Sequence, residues 1–281
     1  MHINNNNLSK KILSWYDNNK RTLPWRISQK SKKKQYYRIL SEFMLQQTQV
    51  KTVIPYFIKF VSKIPNLEVL STSNEKKILK LWEGLGYYRR AKNLHKTAKI
   101  LIKNHNGKLP TKFKEIKKLP GVGEYTANAL LALVYDQSRI PIDGNVRRVF
   151  SRLFNKNIKY EKNTYKILDT DRNADLAEAL MEFGALICKP KNPLCNFCNL
   201  RKNCKFFKNK TYAFQKEKSL VSEKKYNIYC YLNKQKKEIA LTSNKNLSFL
   251  NIFFVNEGIN SSVGLSKEYH VKFFGLTFVN L

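Results

Sequence analysis

The sequence predicts a mostly α fold followed by a short β module, and two observations carry that expectation. From Leu8 to about Phe207, apolar residues recur at three- and four-residue spacing between Pro- and Gly-containing turns. Beyond residue 226 the period drops to two. The helical stripes are Leu8-Ile12-Leu13-Tyr16, Ile39-Phe43-Met44-Thr48, Ile78-Leu79-Leu81-Trp82 and Leu94-Ala98-Leu101-Ile102. Turns at Leu23-Pro24, Ile64-Pro65, Gly84-Leu85-Gly86, Leu109-Pro110 and Leu119-Pro120-Gly121 separate them. A polar, Lys-rich stretch over 209–225 reads as a linker, and alternating segments follow at 226–232, 238–242, 247–255 and 269–279. The expected organisation is a helical body over 1–208, the linker, and a β-rich module over 226–281 that is close to the lower size limit for independent stability.

Composition narrows the functional classes. In 281 residues, 42% hydrophobic and 12% aromatic content excludes intrinsic disorder. No uninterrupted apolar run approaches about 18 residues, so no membrane span is expected. Met1-His2-Ile3 followed by Asn4 to Asn7 lacks the apolar run of a secretory leader. The expectation is a soluble, cytoplasmic, nucleoid-associated monomer. Lys+Arg total 53 against 20 Asp+Glu, a formal charge of +33, and such a field attracts polyanions, nucleic acid first. The cations are 42 Lys and 11 Arg in a chain also rich in Asn and Ile, as drift in an AT-rich genome would produce, so charge supports a nucleic-acid partner without proving one. Residues 219–281 hold 8 Lys and 4 Glu, which places most of the basic field on the helical part.

Four of the five cysteines cluster: Cys188, Cys195, Cys198 and Cys204, reading C-x6-C-x2-C-x5-C. Without a secretory leader, this grouping favours metal ligation over disulfides. Zinc usually takes two CxxC pairs. Here one CxxC is flanked by longer arms, which suits a cubane [4Fe-4S] cluster with one thiolate per iron. Zinc and unligated structural cysteines are the alternatives. Cys230 falls in a strand pattern and reads as a small core residue. Lys189, Lys191, Arg201, Lys202, Lys205 and Lys208 surround the ligands, so the loop could rest on phosphates or simply staple the end of the body.

Leu119-Pro120-Gly121-Val122-Gly123-Glu124-Tyr125-Thr126-Ala127 reads as helix end, tight turn and new helix, preceded by the Phe113-Ile116-Leu119 stripe. The glycines permit positive φ and close backbone approach, and exposed N–H groups feeding a helix N-terminus suit an anion. An ordinary helix–helix turn is the plainer reading of Gly-Val-Gly alone. With apolar helices on both sides and the cysteines downstream, the segment over about 111–135 reads as a helix-hairpin-helix that holds a DNA phosphate through Gly121, Val122 and Gly123.

At this point several motifs in order resemble the helix-hairpin-helix DNA glycosylases. They are the hairpin itself, Pro141-Ile142-Asp143-Gly144-Asn145-Val146-Arg147-Arg148-Val149, and the cysteine spacing. Ser41-Glu42-Phe43-Met44-Leu45-Gln46-Gln47-Thr48-Gln49-Val50, Leu23-Pro24-Trp25-Arg26 and Gly84-Leu85-Gly86-Tyr87-Tyr88 look like the adenine-specific, MutY-type branch. The resemblance covers about residues 8–207. It implies a two-lobed helical body with an iron–sulfur loop, acting on double-stranded DNA that carries adenine opposite 8-oxoguanine or guanine.

The residues fit that chemistry. Cleaving a purine N-glycosidic bond makes a poor anionic leaving group and a cationic sugar, so an acid should protonate the base and a carboxylate should face the oxocarbenium ion. Glu42, in an apolar stretch where desolvation raises its pKa, is the candidate acid. The resemblance implies that it protonates adenine N7 and activates water. Asp143 is the candidate stabiliser, although its place before Gly144 also suits a helix cap. The resemblance puts Asn145 in the same site. At position 125 the bifunctional relatives carry a lysine that attacks the sugar; Tyr125 here implies a monofunctional enzyme. Base extrusion would employ Gln47 and Tyr87 as wedges, with Trp25 and Arg26 lining the adenine pocket. Family members carry a longer C-terminal, Nudix-like domain with a Phe-Ser-His loop. Here about 60 residues follow the body and no such triplet occurs, though Tyr269 to Phe274 resembles a remnant; this departure bears on 8-oxoguanine selectivity. The competing readings are an endonuclease III-like pyrimidine glycosylase/lyase and a non-catalytic iron–sulfur protein that binds DNA.

Overall fold

The computed structural model describes residues 5–28, 31, 33–156, 170–209, 231–233 and 238–240. The chain divides into two compact units, residues 1–216 and 217–281. In the second, strands β1 (Tyr231–Asn233) and β2 (Glu238–Ala240) pair antiparallel with Leu232 opposite Ile239. The rest of the expected β module, Cys230, residues 269–274 and residues 210–225 of the linker lie outside the described residues.

The first unit holds eleven α-helices among its described residues, in two lobes. Helices α2 (Lys34–Leu45), α3 (Val50–Lys63), α4 (Leu67–Thr72), α5 (Glu75–Trp82) and α6 (Arg89–His105) build the first lobe. Its core includes Phe43, Phe57, Phe60, Trp82 and Leu94, all fully buried. The second lobe is discontinuous in sequence. Leu8, Ile12 and Tyr16 of α1 (Asn5–Asn19) pack with Val146 and Phe150 of α9 (Gly144–Phe154) and with Leu180 and Phe183 of α10 (Asn173–Leu186). Leu200 of the cysteine loop completes that core.

Small residues let the lobes meet. Ala129, Ala132 and Leu133 of α8 (Glu124–Tyr135) pack against Ala177 of α10. Gly184 of α10 lies so close to α9 that an added Cβ would stand 2.6 Å from the Asn145 Cβ. The first hairpin helix, α7, is a single turn, Phe113–Ile116, shorter than the stripe running to Leu119 suggests. The Leu119–Val122 turn explains the rest. The Val122 N–H donates to Leu119 O (3.1 Å), with Pro120 at the second position and Gly121 (φ +77°) at the third, the residues a type II turn favours.

Helix α2 ends at Leu45, three residues before the end of its sequence stripe. A second such turn follows, in which the Thr48 N–H donates to Leu45 O (3.2 Å). It forces the non-glycine residue Gln47 to φ +56°. Among the described residues, no helix is long and apolar enough to cross a membrane.

Candidate active site

A cleft of about 1060 Å³ is lined by residues of both lobes. Glu42 reaches it from the last turn of α2, Tyr125 from the first turn of α8, and Asp143 and Asn145 from the start of α9. Two carboxylates 101 positions apart in sequence thus open on one space.

Glu42 is 5% exposed. Burial pushes its carboxyl up to about 7; Arg38 pulls down, the Glu178 and Asp143 charges push up, and a hydrogen bond from the Tyr125 hydroxyl pulls down. Arg38 stands one turn before it on α2, but its guanidinium is engaged by Glu178 of α10. A carboxyl near 7 exchanges its proton at working pH, as a general acid must. Tyr125 Oη also lies 3.4 Å from Met181 Sδ.

Asp143 caps α9: its Oδ1 accepts from Val146 N–H (2.7 Å), and its Oδ2 accepts from Asn145 Nδ2 (2.9 Å). Burial raises its carboxyl above the usual value, while these donors and the Arg148 charge hold the rise back. The capping and site readings of Asp143 therefore coexist in one geometry. Asn145 Oδ1 in turn accepts from Arg148 Nη2 (2.8 Å), and Arg148 Nε donates to Cys188 O (2.7 Å).

Trp25 and Arg26 line the cleft. Trp25 is buried, edge-on to Phe57. Arg26 pairs with Glu178 and Glu182 of α10, each at 3.2 Å. Arg21 meets Glu182 with two bonds, 2.7 and 2.8 Å. Burial pushes Glu182 up, but the Arg21 bonds and the Arg26 charge prevail and bring it down to about 2. Tyr16 donates to Glu178. Sequence reading missed this network. Its signal was the pair Glu178 and Glu182, one turn apart in a helix otherwise of Ala, Leu, Phe and Gly on its buried side, since charges so placed must be matched.

Gln47 and Tyr87 lie on the rim of the cleft; Gln47 is exposed and Tyr87 is 52% exposed, at φ +56° and +45°. Left-handed backbone costs a side-chain-bearing residue on the order of 1 kcal/mol, and such strain concentrates at functional positions. The hairpin expectation needs correction. Gly121 and Gly123 line the cleft, but Val122 is buried in the first lobe's core and its N–H is spent on Leu119 O. Only Gly121 of the two glycines has positive φ; Gly123, at φ −86° and ψ −175°, is the extended residue that starts α8. Of these three hairpin residues, Gly121 and Gly123 are the exposed ones.

The four clustered cysteines form no disulfide and are half-buried, and Cys188, Cys198 and Cys204 pack against the second lobe's core. They are close enough to sense one another: burial pushes the Cys198 thiol up to about 11, and Cys188, Cys204 and Cys195 push the same way. Arg152 Nη1 lies 3.4 Å from Cys188 Sγ. Among the described residues, no group of three or more His, Cys, Asp or Glu is placed to hold a metal ion. By chemistry alone, four cysteines with a guanidinium beside Cys188 are a donor set of the kind an anionic iron–sulfur cluster takes.

Comparison with known proteins adds three findings. Residues 40–171 match the HhH-GPD superfamily of base excision DNA repair proteins. The chain is 42% identical to an adenine DNA glycosylase of Buchnera aphidicola subsp. Baizongia pistaciae over 243 residues, 80% of this chain and 68% of the relative. It is 40% identical to the adenine DNA glycosylase of Buchnera aphidicola subsp. Schizaphis graminum over 231 residues, 77% of this chain and 65% of the relative. In structure it resembles a thermostable thymine-DNA glycosylase with a TM-score of 0.66 and 27% identity, over 73% of this chain and 97% of that one.

Proposed function

Because the chain belongs to the adenine DNA glycosylases of the HhH-GPD superfamily, we propose that its cleft hydrolyses the N-glycosidic bond of adenine mispaired with 8-oxoguanine or guanine in duplex DNA. The observation that carries this reading is a buried Glu42 held near neutrality in the same cleft as an Asp143 bonded by two N–H donors. As the bond between C1′ and N9 breaks, its electron pair passes to the base, and the Glu42 proton goes to N7. The developing positive charge at C1′ faces the Asp143 carboxylate, which Asn145 and the α9 N-terminus keep aimed and ionised. Glu42, now ionised, takes a proton from the water that adds to C1′, which restores the acid. The products are free adenine and an abasic site.

Lys51, exposed on the rim, is the sole lysine among the described cleft-lining residues, and position 125 is Tyr. No amine therefore stands where a Schiff-base nucleophile would be needed, which favours the monofunctional reaction. Cys188, Cys195, Cys198 and Cys204 would hold one [4Fe-4S] cluster, whose contribution when bound is to tie the cysteine loop to the second lobe. Lys189, Lys191 and Lys202 on that loop would meet phosphates.

A duplex with labelled adenine opposite 8-oxoguanine or guanine tests the reading. Purified protein should release adenine and leave a strand that breaks only after alkali, and Glu42→Gln should abolish release. Direct nicking with borohydride trapping would replace it with the lyase reading, and intact adenine on both duplexes would overturn it.

A further inference from the structure

Arg90, in the first turn of α6, sits where a helix favours anions, not cations. It is 7% exposed, and no Asp or Glu among the described residues pairs with it. Its guanidinium instead donates to five backbone carbonyls. Nη1 bonds Phe43 O (3.3 Å), Met44 O (2.6 Å) and Gln46 O at the end of α2, and Nη2 bonds Leu85 O and Gly86 O (3.2 Å each). The ring of Trp82, whose Nε1 also donates to Gly86 O (3.1 Å), lies 5.5 Å from the guanidinium; that of Tyr87 lies 5.6 Å away.

These carbonyls border two turns with one property in common. One turn carries Gln47, the other Tyr87, and both residues are side-chain-bearing, left-handed and on the rim of the cleft. Orphan carbonyls at a helix C-terminus need donors, and water could supply them singly. A single buried guanidinium that serves both segments does something water cannot: it fixes the spacing between them.

The geometry points to Arg90 as a positioning residue that locks the Gln47 and Tyr87 turns into one rigid wedge for opening the base stack. This rests on the glycosylase reading above. A lysine at 90 would keep the charge but has no planar fork to span both sides.

The test compares single-turnover adenine release from an A:G duplex with release from a duplex in which the target adenine faces an abasic-site analogue, where little unstacking is required. Wild type, Arg90→Lys, Gln47→Ala, Tyr87→Ala and the combinations with Arg90→Lys are assayed. Each variant's ratio between the two substrates is independent of its folded fraction. Arg90→Lys should slow the paired substrate by about tenfold or more and the unpaired one by less than about threefold. Adding Arg90→Lys to the Gln47→Ala, Tyr87→Ala double variant should change the ratio no further. A neighbouring 2-aminopurine, read in the Glu42→Gln background, should lose its brightening on binding in Arg90→Lys. Equal slowing on both substrates, or full additivity, overturns the inference. If Gln47→Ala and Tyr87→Ala lose the paired substrate but Arg90→Lys does not, the Arg90 inference alone fails. If none of the three shifts the ratio, the wedge reading itself fails.

Discussion

Replacing Glu42 by Gln should stabilise the protein while silencing it, and the stabilisation should grow with pH. Burial carries the Glu42 carboxyl from 4.5 to about 7, a difference of about 3 kcal/mol between its two protonation states. Between those values the folded chain keeps a proton that the unfolded chain has released. Stability therefore falls as pH rises through that window, and the full penalty is present above about 7. Gln fills the same space and never ionises, so it escapes the penalty. From pH 5.5 to 8 the advantage of Gln over Glu should widen by about 2 kcal/mol, or roughly 4–8 °C in Tm for a body of this size. Thermal unfolding of the two proteins, matched for iron content, at both pH values measures it. A gap that stays constant or shrinks would refute the reasoning, because it would mean that Glu42 is an ionised partner of Arg38 rather than a buried acid.

Three further outcomes follow from the same geometry. Asp143→Asn keeps the helix cap, since Asn caps about as well as Asp. Single-turnover adenine release should fall by about a hundredfold or more while Tm changes little. Gly121→Ala should cost on the order of 2 kcal/mol, because φ is +77° and the new Cβ would meet Asn93 at 2.8 Å and Phe43 at 3.0 Å. Gly123→Ala, with extended backbone and nothing within 4 Å, should cost under about 1 kcal/mol by the same urea titration. Cys198→Ser should lower bound iron, measured per chain, and lower Tm, because its loop carries Leu200 into the second lobe's core.

What the sequence made legible was local. The Asp143 cap needs only its own next three residues, and the apolar run around Glu42 announces its burial. The stripe through Thr48 pointed past the true end of α2, where the chain turns at Leu45–Thr48 and the freed carbonyls are met by Arg90, 45 positions after Leu45, a partner that leaves no mark in side-chain pattern. Val122 read as a phosphate contact because Gly-Val-Gly looks open; its N–H was already committed to the turn. The Glu178 and Glu182 network was hidden for the same reason as α1's partners: both depend on residues well over 100 positions away in sequence.

That interleaving has a consequence for synthesis. The first lobe lies wholly between α1 and α9 in chain order, so it can close on the ribosome while the apolar face of Leu8, Ile12 and Tyr16 has nothing to pack on. At synthesis rates of about 5–20 residues per second, α10 emerges on the order of ten to thirty seconds after α1. For that interval the nascent amino-terminal segment is a sticky flag that a holdase chaperone would have to cover, and a chain halted near residue 140 would keep it uncovered for good.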